Sequence, residues 1–144
     1  MGDFLSRIEE PRVVAAIHAA ELRSRGEVRV HITEGDVKDV MKDGAAAFER
    51  LGMTATTERN GILIFIAAAN HQFAVLGDIG VTSKVGTEPL SAIAAAISGA
   101  FRESRFTDGL VEAIEKAGDL LSAHYPRTEG AVDADELSNE ISRG

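Results

Sequence analysis

Five consecutive residues, Ile62-Leu63-Ile64-Phe65-Ile66, constrain this chain more than any other feature. The run is β-branched, aromatic or leucine throughout and has the length of a strand, so both faces of that strand must be covered. Such a strand belongs at the centre of a sheet. A chain of 144 residues has room for one core of this kind and little for a second. Its apolar share of 44%, with 14 Gly and 3 Pro, is that of a folded globular protein rather than a disordered or fibrous one.

The flanking segments read as helices and strands in alternation. Pro11 sits where a proline opens a helix, and Val13, Val14, Ile17 and Ala20 recur at helical spacing until Gly26. Glu27 to Thr33 then alternates strictly, which predicts a strand with Val28, Val30 and Ile32 on its one thoroughly apolar face. Asp36 is the expected cap of a second helix carried by Val37, Val40, Met41, Ala45, Phe48 and Leu51, with Gly52 as its stop. After the central run, the short gap Asn70-His71-Gln72 before Phe73-Ala74-Val75-Leu76 predicts an antiparallel hairpin, ended by Gly77-Asp78-Ile79-Gly80. Two further helices are expected over Glu88 to Phe101 and Thr107 to Ala123. The order α, β, α, β, β, α, α places a sheet between helices in a single α/β domain over residues 1–128.

Charge and composition exclude several classes of function. Lys and Arg number 15 against 23 Asp and Glu, a net −8, so non-specific binding to nucleic acid or an anionic membrane is disfavoured and cations or basic partners are favoured. Zero Cys removes disulfides, thiolate metal sites and Cys nucleophiles. The acidic N-terminus lacks the pattern of a signal peptide, and the longest near-apolar run, Gly61 to Ala69, is too short to span a bilayer, so neither an export signal nor a membrane anchor is expected and the expected location is the cytoplasm. Residues 129–144 carry five acids against Arg143 and read as an acidic C-terminal tail, with Leu137 and Ile141 as its docking points.

Taken together, Leu51-Gly52-Met53, Glu58-Arg59-Asn60-Gly61-Ile62-Leu63-Ile64-Phe65 and Phe73-Ala74-Val75-Leu76-Gly77-Asp78-Ile79-Gly80 resemble the TPM domain family. Ala20-Glu21, Gly26-Glu27-Val28-Arg29-Val30-His31-Ile32, Phe106-Thr107-Asp108-Gly109-Leu110 and Ala123-His124-Tyr125-Pro126 fall in the matching order, and Asp133 to Ile141 is similar to the tail of compact stand-alone members. The resemblance implies an α/β/α sandwich with a mixed sheet. For activity it implies a choice among a phosphatase, a calcium-binding module and an accessory factor in the assembly or repair of membrane complexes. Many members carry a signal peptide and a membrane anchor, which this sequence does not show. An aromatic, often Trp, follows the Gly-Asp turn in similar sequences, and Leu90 is the nearest equivalent here.

Asp78, between two glycines at a strand end, is the first candidate cation ligand or catalytic carboxylate; the competing role is a side chain that caps its own turn. Asn60 offers an amide oxygen to the same site or fixes an Asn-Gly turn. Glu27, at the opening of the first strand, and Asp108, in the first turn of the last helix, would complete an all-oxygen set suited to calcium or magnesium. Each also has an ordinary role, as an exposed strand end and as a helix-dipole acid. His18, His31, His71 and His124 have no close metal spacing and are expected to be structural. No nucleophile elbow, Walker loop, dinucleotide fingerprint or His-Glu-x-x-His motif occurs. Two functions follow as expectations: a divalent-cation-binding module that presents a surface to a protein partner, and a metal-dependent phosphatase in which Arg59 stabilises the developing phosphoryl charge.

Overall fold

A computed structural model describes residues 6–127 and 141–143. Helix α1 (Glu10–Leu22) leads into strand β1 (Glu27–Thr33), followed by α2 (Val40–Arg50), β2 (Gly61–Ala67) and β3 (Gln72–Gly77). Helices α3 (Ile79–Val85), α4 (Glu88–Arg102) and α5 (Phe106–His124) come next, and β4 (Ser142–Arg143) ends the order. The sheet runs β3-β2-β1-β4. β1 and β2 are parallel, β2 and β3 form the antiparallel hairpin, and β4 lies parallel to β1. The sheet is therefore mixed, within one α/β domain.

The sheet separates two apolar layers. On one face Val28, Val30, Ile32, Ile62, Ile64 and Val75 pack with α1, α4 and α5 through residues such as Val13, Ile17, Ile97 and Leu110. On the other, Leu63, Phe65 and Ala74 pack with Ala47 and Phe48 of α2. All seven residues of β2 are buried, as the unbroken apolar run requires. The face of β1 that carries Glu27 and His31 is also covered: those residues are 4% and 2% exposed, against the single buried face that alternation predicts. Helix α2 lies over that side, and the alternation of a strand does not report what packs above its polar positions.

One local expectation is overturned, and others gain detail. Asp39, not Asp36, caps α2, its Oδ1 accepting from the amides of Met41 and Lys42 at 3.1 Å each. Asn70 bridges the expected start instead, donating from Nδ2 to Asp36 and accepting from the Val37 amide at 2.8 Å, so that backbone is taken before a helical turn can form. The Gly77 to Gly80 stretch both ends the hairpin and begins α3. The connection after Gly52, which adopts the left-handed φ of 73° that glycine tolerates, contains a single 3-10 turn at Met53–Ala55. Ile141, from the expected tail, is 7% exposed and belongs to the larger core, and Ser142–Arg143 add a strand; the expected docking of Leu137 lies outside the described residues.

Candidate functional site

The segment Glu58 to Gly61 is stitched to both of its neighbours at one end of the sheet. On the β1 side the Glu27 amide donates to Asn60 O at 3.4 Å, and on the β3 side the Asp78 amide donates to Gly61 O at 2.9 Å. Gly80 donates to Arg59 O at 2.9 Å. A Cβ at Gly80 would run into the carbonyl oxygens of Glu58 and Arg59, so only glycine lets α3 approach this segment so closely. Tyr125, just beyond α5, closes the arrangement by donating its hydroxyl to Gly80 O at 2.6 Å.

Asp78 sits at the strand-to-helix corner and is 5% exposed. Its Oδ2 accepts from Arg59 Nε at 2.6 Å, and its Oδ1 accepts from Arg59 Nη2 at 2.9 Å and from the Ile79 amide at 2.8 Å. The carboxylate thus caps α3 and holds a two-pronged guanidinium pair, the planar match that favours Arg over Lys. Arg59 itself has a left-handed φ of 52° and a side chain 47% exposed, so the counter-charge stands in solvent while the carboxylate does not. Hydrogen bonding to Asp78 raises the Arg59 pKa above its ordinary value.

A second pair braces the first. Arg25 donates from Nε and Nη2 to the two oxygens of Glu58, at 2.8 and 3.0 Å. That contact holds the Glu58 carboxyl below its ordinary range. The Arg25 carbonyl accepts from Asn60 Nδ2 at 3.2 Å, while Asn60 Oδ1 is buried with no hydrogen-bond partner among the described residues.

Glu27, Asn60 and Asp78 therefore share one end of the sheet but not one shell. Strand alternation sends Glu27 to the α2 side with Gly61 and Leu63, and Asn60 to the opposite side with Ile62. Between Glu27 and Asp78 lies Gly61, and there Met53 Cε stands 3.1 Å from the position a Cβ would take. Asp108 is elsewhere. It lies in the first turn of α5 and pairs with Arg12 Nη2 at 2.8 Å, whereas the other end of that helix approaches Gly80. At roughly 1.5 Å per residue the separation along α5 is about 24 Å. Among the described residues no group of three or more His, Cys, Asp or Glu is placed to hold a metal ion. Arg25, Glu58 and Tyr125 complete the arrangement, and no local pattern announces them because each acts across distant segments.

The TPM domain model matches residues 1–120. The chain belongs to the TPM domain family. This TPM domain is similar to the BA42 protein of the psychrophilic bacterium Bizionia argentinensis, whose NMR structure superimposes with a TM-score of 0.85 at 37% identity, covering 94% of this chain and 92% of that one. The N-terminal domain of the cg2496 protein from Corynebacterium glutamicum shares the fold, with a TM-score of 0.62 at 15% identity over 89% of this chain and 80% of that one. No curated protein matches the TPM domain described here. Among the described residues no helix is long and apolar enough to cross a membrane.

Proposed function

We propose that this TPM domain is an interaction module that takes up calcium or magnesium at the Asp78 end of its sheet and presents that end to a protein partner. One observation carries the reading: Asp78 is nearly inaccessible, yet the charge that neutralises it sits on a half-exposed arginine. A divalent cation arriving from solvent competes with Arg59 for the same oxygens and can displace it without opening the core. Asp78 is then the one side-chain ligand, with water and nearby backbone carbonyls as the remaining oxygens that calcium or magnesium prefers. Glu27 and Asn60 support the site from either side of the sheet, and Asp108 has no part in it.

The test is an NMR titration of the full chain with calcium and, separately, magnesium. Shifts confined to Arg59 and Gly77 to Val81 are expected, absent in Asp78→Asn and occurring at lower metal concentration in Arg59→Gln, because the internal competitor is gone. No response at millimolar metal in any of the three proteins overturns the reading. The phosphatase alternative needs a cation free to meet a phosphoryl group, and Arg59 spends two donors on Asp78. Turnover of phosphate esters that disappears in a folded Asp78→Asn protein would put that alternative first.

A further inference from the structure

His31 lies inside the protein at the edge where the C-terminal strand docks. Its ring is 2% exposed and stacks on Phe65 of β2, with centroids 5.7 Å apart and planes inclined by 12°. Nδ1 lies 3.0 Å from Ser142 Oγ of β4, and Nε2 is buried with no hydrogen-bond partner among the described residues. Among the described residues the charges that bear on the ring are Arg29 of β1 and Arg50 of α2, both positive. On β4 the neighbouring Arg143 is itself positive and turns to Glu10 of α1, 3.5 Å away. A neutral imidazole fits this seat. An imidazolium has two N–H groups, of which the Nε2–H finds no acceptor among the described residues, and two guanidinium groups repel it.

The elements around His31 differ in what it costs to open them. β1 is joined to β2 along seven residue pairs, Glu27↔Gly61 to Thr33↔Ala67. Among the described residues β4 is joined to β1 by two, His31↔Ser142 and Ile32↔Arg143, with Ile141 as the one buried apolar side chain of residues 141–143. Water reaches a protonated ring most cheaply by way of β4.

We propose that His31 and β4 form a proton-operated latch, in which acidification detaches residues 141–143 from β1 while the β1-β2-β3 sheet stays paired. Release uncovers the outer backbone edge of β1 near Val30 and Ile32. The opened stretch is short, because the Val28 amide farther along that edge is already capped by Glu21 Oε2 at 3.0 Å.

The experiment follows the His31 ring and the backbone amides of the full chain by NMR from about pH 7.5 to about pH 5, the interval in which imidazoles titrate. The ring is expected to titrate below the ordinary value of 6.5, and the Ser142 and Arg143 amides to move to unstructured positions with the same midpoint while β2 and β3 amides hold. His31→Gln keeps a hydrogen-bonding side chain without the titration and is expected to stay latched throughout. Titration of His31 with β4 unmoved overturns the proposal, as does release of β4 at the same midpoint in His31→Gln. Should that variant fail to fold, Ser142→Ala loosens the latch from the other side: the His31 midpoint moves toward 6.5 and β4 releases nearer neutrality, and an unchanged midpoint refutes the coupling.

Discussion

Asp78 and His31 are buried to a similar degree, and the protein treats them in opposite ways. Asp78 receives three donors, two of them from one guanidinium, so its charge is compensated on the spot. Among the described residues His31 receives one hydroxyl and stands near two cations, so it is accommodated as a neutral ring. The contrast follows from the cost of burying polar groups: a buried charge persists only when paired, and a buried neutral group tolerates a missing partner until it is asked to take a proton. The Asp78 end is built to hold a charge, and the β4 edge to yield when one appears.

The strongest way to break the Asp78 end is to push its segments apart. In Gly80→Ala the new Cβ meets two backbone carbonyls that cannot rotate away, and it comes to 2.9 Å of the Tyr125 hydroxyl. A loss of about 3 kcal/mol is expected in urea denaturation, the upper range for overpacking. Asp78→Ala comes next, at about 2 kcal/mol, because α3 loses its cap and Arg59 is free to take up water. Asp78→Asn keeps the capping oxygen and is expected to cost about half as much. Equal losses for the two Asp78 variants would mean that the ion pair, and not the cap, stabilises this corner. Tyr125→Phe removes only the bond to Gly80 O, for an expected loss of about 1 kcal/mol.

How much of this was legible in the sequence differs between the same two regions. β1 was read to its end residues from alternation, β2 from its apolar run, and α4 and α5 to within one residue at each end from their period. Those signals are local and repeat. Asp36 and Asp39 are both competent caps, and the choice between them is made by Asn70, more than thirty residues away. α3, at seven residues, is too short to show a period, and β4, at two, is shorter still. Asp78 was legible because two glycines frame it at a strand end, but its pairing with Arg59 depends on a hairpin register that brings together residues nineteen apart. Asp108 shows the limit most clearly. Its position in a first helical turn was readable, whereas the end of the sheet that turn faces depends on the direction in which α5 packs.

The smallest expected effect separates the two regions by pH. Burial and two arginines hold folded His31 below its ordinary 6.5, so below that pH the unfolded chain binds more protons than the folded one. The stability tied to His31 is thus complete above about pH 6.5 and is lost as pH falls through the folded value. The Glu58 carboxyl, held by Arg25 below 4.5, also loses its contribution on acidification, but only beneath that value. Both slopes have the same sign and occupy different windows. Urea midpoints of the wild type are expected to decline gently between about pH 6.5 and pH 5, then further below about pH 4.5. His31→Gln should stay level through the first window and decline in the second, and Arg25→Gln should do the reverse. A wild-type profile that is flat from neutrality to pH 5 would show that the protein absorbs a charge at His31 as readily as at Asp78, and the contrast between the two buried groups would be lost.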